Sequence, residues 1–261
     1  MIKADFHLHT EDSYDSRIIA TELLAQAIRE EYQLIAITEH LDLLPQELGA
    51  WGLPSLTRYT RRINELKATN PPLELLLGIE IGDYHCHRDF AKRLVDQYDF
   101  EIILGSVHFL GDHTNVAIPI HRKMDNAAVQ EYYLSNLALV EQCDIDVLAH
   151  LGVYKRFYSA RPDESFAGAI IKDIFEVMIE REIALELNFS CIRKTYQRLI
   201  PEPEQIELYR SLGGSLFTIA SDAHFMDHFG DGAHLLPGWL LENAVFSERK
   251  SRVLCCPPEA K

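Results

Sequence analysis

Three observations predict an α/β protein built on a parallel sheet. Short runs rich in Ile, Leu and Val recur along the chain, helix-length amphipathic segments separate them, and no Gly/Ser/Pro-rich linker or internal repeat interrupts the alternation. Strands buried on both faces read as near-continuous apolar runs, and strand–helix alternation is the pattern of βα units. A doubly wound sheet and a closed barrel both satisfy it. The position of the chemistry decides between them, because barrel enzymes collect reactive side chains from the C-terminal ends of many strands.

Seven strands are expected, at IKADF (2–6), QLIAIT (33–38), LELLLGIEI (73–81), DFEIILGSV (99–107), IDVLAH (145–150), IALELN (183–188) and SLFTIA (215–220). Between them, 21–32, 56–68, 127–143 and 166–182 carry apolar residues at helical spacing. The last stretch, SERKSRVLCCPPEAK, reads as a polar tail.

A chain of 261 residues fits one large domain, since single α/β barrels of about 250 residues are common. Hydrophobic residues at 47% and aromatics at 10% provide material for a core. Lys and Arg total 25 against 40 Asp and Glu, a net charge of −15. That balance argues against a nucleic-acid groove, which needs clustered positive charge. The five cysteines contain no CxxC pair, so neither a disulfide framework nor a thiolate zinc knuckle is indicated, and a reducing compartment fits. With no signal-like N-terminus and no run near 18 apolar residues, a cytoplasmic protein without a membrane partner is expected.

The polar residues gather at the strand ends. The end of the first strand gives Asp5, His7 and His9 in DFHLHT, with Asp15 beyond. The second ends on Glu39 and His40 (TEH), the third on Glu80 (GIE) and the fourth on His108 (SVH). The fifth ends on His150 (LAH), the sixth on Glu186 and Asn188 (ELN), and the seventh runs into Asp222 and His224 (SDAH). Alternate residues of an extended segment point the same way, so the two imidazoles of HxH can meet one ion. A single His or Asp after a strand is ordinarily structural, often a helix cap. Independent structural causes would not place ligand-type side chains on six strand ends of one rim. Nine such candidates exceed one tetrahedral zinc and suit two or three divalent ions. His and carboxylate without thiolate suit zinc, manganese or iron. A carboxylate among imidazoles can bridge ions, and a water between ions is a hydroxide source near neutral pH. The reaction indicated is hydrolysis.

DFHLHT, TEH, GIE, SVH, LAH and SDAH, in this order over residues 5 to 224, resemble the motif set of the PHP (polymerase and histidinol phosphatase) superfamily. The arginines in HLGVYKRF (150–157) and ELNFSCIRK (186–194) are similar to those of its histidinol-phosphatase branch. The resemblance implies a distorted (β/α)7 TIM-like barrel over 1–247, followed by a tail over 248–261. It implies a metal site at the C-terminal face with His7, His9, Glu80 and Asp222 at one position, and Glu80, His108 and His150 at a second. Asp15, His40 and His224 make the third, and Glu80 is the bridge. Family members vary between His and Asp at the position of Asp15. Strand two usually ends TDH in this superfamily, whereas here it is TEH.

Arg156 and Arg193 match the phosphate-binding arginines of that branch, and a guanidinium offers a dianionic phosphate a forked donor that an ammonium cannot. Lys155, Arg161 and Lys194 are read as solvated surface charge. His85, His87, His113, His121, His228 and His234 are read as loop residues, and the Tyr and Phe of 127–180 as core. The implied activity is hydrolysis of L-histidinol phosphate, a step of histidine biosynthesis, by metal-bound hydroxide. The implied partner is a small phosphate ester. Another PHP-type phosphoesterase is one alternative. A metal-dependent amidohydrolase is another, although it would bridge its ions from the fourth strand, where this chain has His108. A non-catalytic metal-binding domain would show missing ligands, and none is evidently missing.

Overall fold

In a computed structural model that describes residues 3–119, 124–232, 236, 245–246 and 254–255, the apolar runs become strands and the amphipathic segments become helices between them. β1 (Ala4–Leu8), β2 (Leu34–Asp42), β3 (Glu74–Gly82), β4 (Ile102–Ser106), β5 (Val147–Leu148), β6 (Ala184–Asn188) and β7 (Leu216–Ala220) lie side by side in chain order. Every neighbouring pair is parallel.

β1 meets β7 as well. Leu8 bridges to Ala223, His9 N–H donates to the Ala223 carbonyl at 3.1 Å, and Asp222 N–H donates to the His7 carbonyl at 3.0 Å. The Asp5 carboxylate adds a tie by accepting from Ser221 N–H at 3.1 Å. β1 and β7 are thus neighbours, which curls the seven parallel strands into a distorted barrel and excludes the doubly wound alternative.

The helices are α1 (Ala20–Arg29), α2 (Pro45–Trp51), α3 (Leu56–Lys67), α4 (Arg88–Val95), α5 (Asn126–Gln142), α6 (Gly168–Glu180) and α7 (Pro203–Ser211). α1 shows the local logic, burying Ala20, Leu23, Leu24 and Ala27 at i, i+3, i+4 and i+7 and placing Arg29 in its last turn. α5 starts where the Asp125 carboxylate accepts from Ala128 N–H at 2.9 Å. α7 starts at a capping box of Glu202 and Gln205 with Pro203 in its first turn. None of the described helices is long and apolar enough to cross a membrane.

Three positions depart from the sequence reading. β1 runs two residues later than expected, which puts His7 inside the strand. Within the stretch read as a polar tail, Leu254–Cys255 forms β9, antiparallel to β7, and β8 (Val245–Phe246) pairs with β9. Leu254 is fully buried, so this apolar residue, read as part of a polar tail, joins the core. Lys155, assigned to the surface, is also fully buried. Its Nζ donates to Glu164 at 2.8 Å and to Glu202 at 2.5 Å. Tyr133 and Tyr154 donate to the other oxygen of Glu164, and Tyr196 to that of Glu202. The core reading of the aromatic residues agrees with Tyr132, Tyr133, Tyr154 and Phe175, all buried. His121 and His234 lie outside the described residues.

Candidate metal centre

Asp5 and His7 on β1, and His9 directly after it, alternate on one face, and that face points into the barrel: all three are buried. β2 and β3 run in register, with His40 opposite Glu80 and Asp42 opposite Gly82. β4, β5 and β7 each stop two residues before a polar side chain, namely His108, His150 and Asp222. His150 and Asp222 have positive φ, 29° and 52°, as does Asp83 at 49° beyond β3. Non-glycine residues rarely occupy that region, and strain of this kind clusters where a side chain must be aimed rather than merely buried.

The aim is at Glu80. Five imidazoles surround its carboxylate, with nitrogen to oxygen distances of 3.3 Å from His7, 3.5 Å from His9, 2.9 Å from His40, 3.4 Å from His108 and 2.8 Å from His150. Burial by itself pushes the Glu80 carboxyl up. The charges of His7 and His40, with hydrogen bonds from His108 and His150, outweigh it and hold the group well below the usual carboxylate range. Its Oε2 is buried and has no hydrogen-bond partner among the described residues. Donor atoms lie within 4.8 Å of one another in three groups: His7, Glu80 and His150; His7, His9 and Asp222; and His9, His40 and His224. Asp15, about 40% exposed, stands 3.6 Å from His40 Nε2 and 3.2 Å from His224 Nε2.

Neighbours set which ring nitrogen is free. His7 Nδ1 meets Glu186 at 2.8 Å, which aims its Nε2 at the centre; burial pushes His7 down, but Glu186, Glu80 and Asp222 outweigh it and hold it well up. Glu186 also accepts from His150 N–H at 2.8 Å and from the Asn188 amide at 2.8 Å. His9 Nδ1 meets Ser13 Oγ at 3.2 Å, and that hydroxyl accepts from His40 N–H at 3.1 Å while it donates to Glu39. Glu39 accepts from Thr10 N–H at 3.0 Å too, so the extra methylene of TEH is used to hold Thr10 and Ser13. Burial pushes the Glu39 carboxyl up to about 7 despite those hydrogen bonds.

His7 Nε2 and His9 Nε2 face each other at 3.0 Å. Burial, then the charges of His40, His224 and His7, push His9 well down, so it stays neutral and its lone pair available. Around His40, burial is outweighed by Asp15, Glu80 and Asp42, which push it well up. A potential that retains protons on imidazoles is one that also attracts a divalent cation, and convergent imidazole and carboxylate donors without thiolate suit zinc, manganese or iron. The residues present therefore fit divalent metal.

One participant was not singled out from sequence. Asp42, two residues past His40, stands 3.4 Å from His108 Nδ1 and 3.7 Å from His40 Nδ1. A Cβ at Gly82 would lie 2.0 Å from the Asp42 carboxylate and 3.0 Å from His108 Nδ1, so only glycine fits there. Glu186 was visible as a strand end, but its partner His7 is 179 residues away in the chain.

Beside the centre lies a cavity of about 210 Å³ lined by Asp15, Arg156, Arg193, Asp222 and His224, with the exposed Lys194 at its edge. His228, read as a loop residue, also lines it. Arg156 pairs with the Asp222 carboxylate and donates to Ser190 Oγ at 2.8 Å. Arg193 Nη2 donates to the carbonyls of Ser221 at 2.8 Å and Asp222 at 3.2 Å. His85, His87 and His113 stand apart from all of this, as expected of loop residues.

A parallel barrel with a carboxylate–imidazole cluster at the C-terminal ends of its strands defines a metal-dependent barrel of the kind the motifs resemble. The PHP domain family matches residues 5–190, and the chain belongs to that family. The histidinol-phosphatase of Lactococcus lactis is 26% identical over 245 residues, covering 86% of this chain and 85% of its own. A Clostridium acetobutylicum relative named "Probable histidinol-phosphatase" is 28% identical over 233 residues, covering 87% of this chain and 88% of its own. Among solved structures, the L. lactis histidinol phosphate phosphatase complexed with zinc, L-histidinol and phosphate matches with a TM-score of 0.71 at 23% identity, over 85% of this chain and 86% of that one. A structure from Listeria monocytogenes matches with a TM-score of 0.77 at 18% identity, over 90% of this chain and all of that one. These two likenesses concern the fold.

Proposed function

We propose that this chain is a phosphomonoesterase that hydrolyses L-histidinol phosphate to L-histidinol and phosphate, a step of histidine biosynthesis. The observation that carries the reading is the pairing of the Glu80 cluster with two partly buried guanidinium groups on one rim. In this reading His7, His9, Glu80 and Asp222 hold one ion, Glu80, His108 and His150 a second, and Asp15, His40 and His224 a third. Bound divalent ions would neutralise phosphoryl charge and supply an activated water.

Arg156 and Arg193 do the anion binding. Arg156 Nε, Arg193 Nε and Arg193 Nη1 are buried without a hydrogen-bond partner among the described residues. Both guanidinium groups line the cavity and can take phosphoryl oxygens there, while the bonds to Ser190, Ser221 and Asp222 keep the planar groups from turning and Arg193 Nη1 faces Asp231 at 3.9 Å. Donors fixed in advance toward developing charge stabilise a transition state more than donors that must reorganise. The relatives' names agree with this substrate, and their shared length with this chain is nearly complete.

The test is phosphate release from L-histidinol phosphate and a panel of other monoesters, with manganese or zinc supplied, for the native chain and Arg193→Ala. Preference for L-histidinol phosphate that disappears with the guanidinium supports the reading. A metal-loaded protein that releases phosphate from none of the esters overturns it.

A further inference from the structure

The two arginines of the cavity stand on short supports. Arg156 belongs to a single 3-10 turn, Val153–Phe157, and Arg193 closes another, Ser190–Arg193. Turns of this kind have poor hydrogen-bond geometry and too few bonds to hold a shape alone. Their rigidity has to come from what lies behind them.

Behind them lies Lys155. Successive residues of a 3-10 turn point about 120° apart, so Lys155 runs into the core, fully buried, while Arg156 faces the cavity. The lysine stem passes close to Gly152, where φ is 97° and a Cβ would lie 2.9 Å from Lys155 Cε and 3.2 Å from its Nζ. Both the entry to the turn and the path of the lysine therefore require glycine. The ammonium reaches Glu202, which caps α7, and Glu164, which stands just ahead of α6.

Tyr196 joins this hub to the second turn. It lies three residues beyond Arg193. Its N–H donates to the Arg156 carbonyl at 3.1 Å, and its hydroxyl donates to Glu202. Gln197 N–H closes the same loop onto the Cys191 carbonyl at 3.1 Å. One carboxylate is thus shared by the turn that carries Arg156, through Lys155, and by the loop that carries Arg193, through Tyr196. Stability alone gives no reason for such a junction, since well-packed apolar groups in place of a buried ion pair are often neutral or stabilising. A fully satisfied polar network adds a fixed geometry that apolar packing does not.

We propose that Lys155, Glu202 and Tyr196 are positioning residues for the phosphate clamp, setting the spacing and aim of the Arg156 and Arg193 guanidinium groups without touching the substrate. The proposal rests on the phosphomonoesterase reading for what the clamp holds, and it adds what keeps the clamp in register. A misplacement of about 1 Å, transmitted from a distant substitution, can cost about 100-fold in rate.

The test uses the full chain loaded with zinc or manganese, native and as Tyr196→Phe, Lys155→Met, Arg193→Ala and the double variant of Tyr196→Phe with Arg193→Ala. Tyr209→Phe is the control, because it removes a hydroxyl that donates to the Leu216 carbonyl at 3.2 Å, away from both turns. Inorganic phosphate binding is measured by calorimetry, metal content by elemental analysis, folding by thermal melting and turnover with L-histidinol phosphate. Tyr196→Phe should keep its metal, bind inorganic phosphate about 10-fold more weakly and lose about 10- to 100-fold in kcat/KM. Lys155→Met should move the same way at a greater cost in melting temperature; if it does not fold, Tyr196→Phe decides. With Arg193 already removed, Tyr196→Phe should weaken phosphate binding little further, because the hydroxyl acts through the clamp. Tyr209→Phe should leave phosphate binding unchanged.

Unchanged phosphate binding in folded, metal-loaded Tyr196→Phe overturns the proposal, as do fully additive losses in the double variant or an equal loss in Tyr209→Phe. A native chain that hydrolyses no ester removes the phosphomonoesterase reading, while phosphate binding still decides this proposal. A native chain that binds no inorganic phosphate overturns the proposal itself.

Discussion

Two buried hubs of charge in this barrel invite comparison, one centred on Glu80 and one on Lys155. The Lys155 hub is closed: an ammonium meets two carboxylates, and the remaining carboxylate oxygens accept from tyrosines. The Glu80 hub is open. Five imidazoles converge on one carboxylate, Glu80 Oε2 and His40 Nδ1 have no hydrogen-bond partner, and no Lys or Arg pairs with Glu80 among the described residues. Buried charge is retained when it is matched internally or when something else matches it. The first hub therefore holds structure together, and the second is shaped for a cation from outside.

The largest expected effect is at the open hub. Glu80→Gln should lose bound divalent metal, measured by elemental analysis, and lose about 10³-fold or more in phosphate release, the scale of several kcal/mol of metal charge stabilisation. Full metal content in that variant would break the comparison. Arg193→Ala should keep its metal and lose about 10² to 10³-fold in kcat/KM for a phosphate ester, as expected when a fixed donor is removed.

Lys155→Ala should behave in the opposite manner. Breaking a buried ion pair costs about 3–5 kcal/mol, which lowers the melting temperature by roughly 10 °C for a chain of this size, and metal content per folded molecule should not change. A loss of metal without a loss of stability would merge the two hubs into one. Glu186→Gln probes the boundary between them: the residue orients His7 without lying in the cluster, so metal affinity should weaken by about 10- to 100-fold. At the bottom of the scale, His113→Ala, an exposed position, should leave both metal content and melting temperature within error.

Much of the open hub was legible because its residues repeat one local rule, a ligand-type side chain at a strand's end. His7, His9, His40, Glu80, His108, His150, Asp222 and His224 could be picked out by that position alone, and the barrel brings them together. The closed hub was not legible. Lys155 sits beside Arg156 in KRF and looks like surface charge, since its partners Glu164 and Glu202 are joined to it only by the fold. Asp42 was missed, and Glu186 was seen only as a strand end, for a related reason: their role is defined by the imidazole each one faces, and no spacing announces that. The short pairing of Leu254–Cys255 with β7 was likewise masked by the charged and proline-rich residues around it.

The seam between β1 and β7 has a consequence for the order of events in folding. His7 lies in β1 with His9 directly after it, and Asp222 follows β7, so the cluster stays incomplete until some two hundred residues have been ordered between them. An ion bound across that junction acts as a clasp on the whole chain. It binds the closed barrel and not the open one, and by mass action it shifts the equilibrium toward closure. Occupancy of the centre is in this sense a report that β7 has reached β1.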